Sequence, residues 1–115
     1  MSGVRNLVLL AAVVAATTAA AFSPENKAGR EELLTLYLMA VAADRCGFAM
    51  TARQADALDR EAKALVEKMR LGQRENDAVY SEADVAFERQ GPAACDRNGS
   101  FAKGFRYTLQ KLTGP

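Results

Sequence analysis

From residue 22 onward, apolar side chains recur every three to four positions, and no stretch alternates long enough to suggest a strand. That spacing predicts helices throughout and no sheet. The first segment begins near Ser23-Pro24, a capping residue followed by proline at the first helical position. Leu33, Leu34, Tyr37, Leu38 and Val41 form a wide apolar stripe on it. Leu36, Met39, Ala40, Ala42 and Ala43 make its second half apolar nearly all round, so it is expected to be the central helix. It should end near Cys46-Gly47, where glycine can take the left-handed cap conformation.

The second segment opens on Thr51-Ala52-Arg53-Gln54, a capping box in which the Thr and Gln side chains satisfy each other's orphan backbone amides. Ala55, Leu58, Ala62, Leu65, Val66 and Met69 then share one face, and Gly72 is expected to stop the helix. Asp56–Arg60 and Asp59–Lys63 are spaced as i,i+4 ion pairs on the other faces. The third helix is expected over 74–89, with Ala78, Val79, Ala83, Ala86 and Phe87 buried, and Gly91-Pro92 ending it. Asp96 to Ser100 reads as a turn into a fourth helix over 101–112, striped by Phe101, Phe105, Leu109 and Leu112. The stretch from Gly91 to Ser100 has room for one extra turn. Short connections between such helices predict an all-α fold, a small compact bundle of about four helices.

Residues ahead of this pattern read differently. Met1 to Asn6 is polar with one charge, Arg5; Leu7 to Ala16 is unbroken apolar sequence; Ala19-Ala20-Ala21 supplies the small residues a signal peptidase needs. Residues 1–21 are therefore expected to be a secretory signal peptide cleaved after about Ala21, and residues 22–115 a single helical domain. Sixteen residues from Leu7 to Phe22, rich in alanine, are short for a membrane span. The expected location is the periplasm or the extracellular space.

Export changes the reading of the two cysteines. Cys46 and Cys95 lie in the mature part, far apart and outside any C-x-x-C motif, so a structural disulfide is expected. The bond would staple the end of the first helix to the entry of the fourth.

The chain has 115 residues, half of them apolar, with 15 basic and 14 acidic side chains and no histidine. Losing the signal removes one basic side chain, Arg5, and no acid, leaving formal neutrality. A nucleic-acid binder would show a basic excess, so nucleic acid is not an expected partner. Without histidine there is no histidine triad or histidine metal site, and no Gly-rich phosphate loop or serine elbow is present. No enzyme activity, cofactor or metal is expected. Glu75, Asp77, Glu82, Asp84 and Glu88 do not converge at ligand spacing, and Asp96-Arg97-Asn98-Gly99 lacks the geometry of a calcium loop. Asn98-Gly99-Ser100 fits a glycosylation sequon that a bacterial protein would leave unused.

The candidate interaction surface is the fourth helix. Lys103, Arg106 and Lys111 give it a basic back with no acid after Asp96, and Tyr107 places an aromatic ring on the polar side. Such a helix could pack against the acidic third helix, meet another envelope protein or a second copy, or touch an anionic membrane peripherally. The leading expectation is a protein-interaction module. An apolar-ligand carrier is a further alternative, although the alanine-rich stripes favour close helix approach over a cavity.

In outline the chain also resembles the small periplasmic acid-stress chaperones of the HdeA type. The shared features are the export signal, the domain size, the helical content and one pair of widely spaced cysteines. Ala94-Cys95-Asp96 through Phe101 and Lys103 adds local similarity. Cys46 departs from that pattern, because it follows a full helix where the family's first cysteine opens one. The resemblance implies release of apolar surface at low pH. The 14 acidic side chains would supply the trigger, since protonating them leaves the chain strongly cationic.

Overall fold

The computed structural model describes residues 24–114, so the expected signal peptide lies outside the described residues. Four helices follow in order: α1 (Pro24–Cys46), α2 (Ala52–Met69), α3 (Gln73–Gln90) and α4 (Ser100–Thr113), with a single 3-10 turn at Pro92–Cys95 between the last two. No strand occurs among the described residues. The fold is the expected all-α bundle, and the 3-10 turn is the extra turn for which the Gly91–Ser100 stretch left room.

α1 is central because it is apolar on several sides. Leu33, Leu36, Met39, Val41 and Ala42 are all buried, Leu33 completely. α2 and α3 pack against it, while α4 lies mainly on α2 and the 3-10 turn. From α2 come Leu58, Ala62, Leu65 and Met69; from α3 come Val79, Ala83 and Phe87; from α4 come Phe105 and Leu109. Small residues let the helices approach closely. Gly29 of α1 faces Met69, whose sulfur would lie 3.0 Å from any Cβ added there.

The local signals are realised with some shifts. Thr51 caps α2, accepting from the Gln54 amide at 3.0 Å, while the Gln54 side chain accepts from the Thr51 amide at 2.9 Å. The inner face of α2 is turned from the expected one: Ala57 is buried and Ala55 exposed. The stop also differs. Arg70, not Gly72, adopts the left-handed conformation (φ 55°), and its amide reaches back to the Glu67 and Val66 carbonyls. Gly72 is extended and serves as the N-cap of α3. Both jobs fit one short α2–α3 link, so Gly72 starts α3 and does not end α2. On α3, Ala78 is exposed and Ala86 half-buried, which narrows its buried stripe to Val79, Ala83 and Phe87. An alanine at a helix edge carries too little apolar surface to turn the helix.

Tyr37 joins α1 to α3. Its hydroxyl donates to Asn76 Oδ1, and its ring tilts against Tyr80 with centroids 5.3 Å apart. Burial raises the phenol's pKa above its ordinary value, opposed by the Asn76 bond and assisted by the charges of Asp77 and Asp59. A phenol with a raised pKa holds its proton longer in the folded state than in the unfolded one. Its contribution is therefore complete below about pH 10 and is lost as pH rises through the folded value. Denaturation midpoints measured from neutral to strongly alkaline pH should fall more steeply above about pH 10 for the wild type than for Tyr37→Phe. Parallel curves would show that Tyr37 carries no linkage.

Candidate functional site

The staple comes first because it positions the fourth helix. Cys46 and Cys95 are joined with their Cα atoms 5.1 Å apart. The bond fixes the last residue of α1 to the last residue of the 3-10 turn. The turn that follows is held locally: the Asn98 amide donates to Asp96 Oδ1, and the Gly99 amide to the Asp96 carbonyl, each at 3.0 Å. Gly99 then caps α4 without a side-chain bond.

On α4 the residues fall into two groups. Lys103, Tyr107 and Lys111 are four apart and point away from the bundle, opposite buried Ala102, Phe105 and Leu109. Tyr107 is 60% exposed, an unusual position for a large ring, and the Lys111 ammonium lies 5.2 Å from its ring centroid. Arg106 stands on the flank instead, and its Nη1 donates to the Arg97 carbonyl at 3.1 Å. The expected surface is thus one outward face of three residues plus an arginine that leans toward the Asp96–Gly99 turn.

The expected pairing of basic α4 with acidic α3 does not form. Three of the five acids of α3 are met by α1: Arg30 pairs with Glu82, and Arg45 with Asp84 (2.9 Å) and Glu88. The bond to Glu88 raises the Arg45 pKa further, and its guanidinium lies 5.7 Å from the Phe87 ring centroid. Geometry decides this, because α3 packs along α1 while α4 packs on α2. Of the two expected pairs on α2, Lys63–Asp59 closes at 2.9 Å, and Asp59 raises the lysine pKa by hydrogen bonding.

Among the described residues, Lys103, Arg106 and Lys111 make no ion pair. No polar or charged side chain is buried among them, and no three acidic or cysteine side chains gather where they could hold a metal ion. The chemistry this surface offers is charge attraction and aromatic contact.

Sequence reasoning missed the partners of Arg106. Phe48, from the link after α1, lies against Phe105 of α4 with centroids 5.1 Å apart. Together with Arg97 they border a groove of about 300 Å³ beside Arg106. No spacing rule finds this set, since Phe48 and Phe105 are brought together only by the bundle. The Asp-x-Asn-Gly turn was the one available hint that Arg97 would be held in place.

No family model, curated protein or solved structure matches the chain.

Proposed function

We propose that the protein is a small exported interaction module that binds an acidic protein of the cell envelope through the outward face of α4. The observation that carries this reading is the unpaired basic helix. Three of the five acids on α3, Glu82, Asp84 and Glu88, are engaged by arginines of the central helix, whereas Lys103, Arg106 and Lys111 make no ion pair among the described residues and α4 carries no acid. Exposed tyrosine between lysines suits a recognition patch, since aromatic rings supply contact area at low entropic cost. The cations would steer an acidic partner and set orientation, with strong dependence on ionic strength. The signal-like N-terminal sequence supports a partner outside the cytoplasm.

The experiment is crosslinking in intact cells followed by capture of the wild type and of a Lys103→Glu/Lys111→Glu variant. One dominant, stoichiometric partner, lost in the variant and weakened by salt, is the expected result. An unchanged partner in the variant would place the interface elsewhere. A broad set of clients growing on acidification would replace this reading with the chaperone one, and self-crosslinks alone would replace it with assembly of the chain with itself.

A further inference from the structure

Two arginines and a pair of phenylalanines meet in the groove beside the disulfide. Its inner surface is Ala102 and Phe105 of α4, both buried, and its wall is Phe48 and Ala49. Arg97 and Arg106 stand at its rim, and no acidic residue lines it. The nearest acid in sequence, Asp96, is engaged by the Asn98 amide. Neither arginine makes an ion pair among the described residues. Two other grooves provide a contrast. One, between the end of α2 and the first turns of α1 and α3, mixes Arg30 and Arg74 with Glu75, so its charges offset locally. The other, between α1 and α4, has hydroxyl groups but no charge on its walls.

We infer that the groove between the α1–α2 link and α4 is a binding site for a small organic acid with an aromatic or branched apolar stem. The apolar walls would take the stem by desolvation and ring-edge contact. The guanidinium groups would take the carboxylate, for which their planar donor fork is matched in shape as well as charge. Its volume of about 300 Å³ falls at the small end of ligand sites, which sets the ligand's size. A neutral apolar molecule would leave both arginines without a counter-charge, and a cationic one would be repelled. The Arg106 bond to the Arg97 carbonyl keeps the two rim residues together, and the disulfide holds the preceding turn against α1. The backbone around the groove is therefore held in place before the ligand arrives.

The test is amide-resolved NMR titration of the oxidised protein with 4-phenylbutanoate and with its neutral amide, 4-phenylbutanamide. The expected result is saturable shifts confined to Gly47, Phe48, Ala49, Arg97, Ala102 and Arg106, with the amide at least tenfold weaker. Arg97→Gln and Arg106→Gln should each weaken the acid severalfold and leave the amide unchanged. Ala49→Trp, at an exposed position on the wall, should abolish binding of both with the arginines in place. Equal binding of acid and amide, shifts spread over the other grooves, or acid binding unaltered by both arginine variants would overturn the assignment. So would tighter binding of the peptide acetyl-Asp-Phe-Asp-amide than of the small acid, because the groove would then belong to a protein partner. Arg106 also belongs to the proposed interaction surface but Arg97 and Ala49 do not, so Arg97→Gln and Ala49→Trp test the groove separately from the interaction-module reading, which Lys103→Glu/Lys111→Glu tests.

Discussion

Replacing both Cys46 and Cys95 by serine should lower the free energy of unfolding by about 4 kcal/mol, the value expected for a crosslink closing a loop of this length. The two residues are 49 apart, so the bond restricts a large share of the unfolded chain. The native state gives a second reason. Residues 91–99 carry little apolar surface inward, with Ala94 the one buried side chain of the 3-10 turn. Without the bond, the turn would be held to α1 mainly by that alanine, and the start of α4 would lose its anchor. For a domain of this size each kcal/mol shifts the melting temperature by about 4–8 °C. The variant should therefore melt tens of degrees lower while keeping most of its helical signal at low temperature. Reduction of the wild type should give the same result, and Cys95 is exposed enough for a reductant to reach. The check is chemical denaturation of the oxidised, reduced and doubly substituted proteins. A loss below about 1 kcal/mol would mean that packing alone holds the turn.

Leu33→Ala is expected to cost about 2–5 kcal/mol, comparable to the disulfide. Leu33 is fully buried in α1, the helix on which α2 and α3 both pack. Truncation removes apolar atoms from water-free surroundings and leaves a cavity. Two helices would have to move for the space to close, and their contacts with α1 resist that. Leu34, its half-buried neighbour on the same helix, is the internal control. Leu34→Ala removes the same atoms at the same intrinsic helix propensity, and its loss should be clearly smaller. Urea titration of the two variants separates cavity formation from a change in helix propensity. Equal losses would show that Leu33 occupies no special place in the packing.

Much of this architecture could be read locally. The capping box at Thr51, the proline near the start of α1 and the 3.6-residue periodicity each involve neighbours within one or two turns. Such signals place helices without reference to the rest of the chain. The cysteine pair was also legible, because only two cysteines exist and they sit in the expected exported part. Edges were less legible. Ala55 and Ala78 lie at the margins of their stripes, and alanine contributes too little apolar surface to decide which way a margin turns. At the α2–α3 link, Gly72 was expected to stop α2, yet Arg70 takes the left-handed stop and Gly72 is extended at the start of α3.

The candidate surface divides in the same way. Lys103, Tyr107 and Lys111 share a face because four-residue spacing on a helix requires it. The pairing of charges between helices followed no such rule. The sequence pointed α3 toward basic α4, and its actual partner, α1, came from which helix packs along it. The groove beside Arg106 is further still from local logic, since Phe48 and Phe105 are separated by about half of the chain. Helix positions, the outward basic face and the single crosslink are thus properties of short-range pattern and composition, where each residue's environment is set by its neighbours in sequence. The partners of the acidic helix, the handedness of the α2 stop and the arginine-rimmed groove belong to the tertiary structure, because they depend on how four helices share one core.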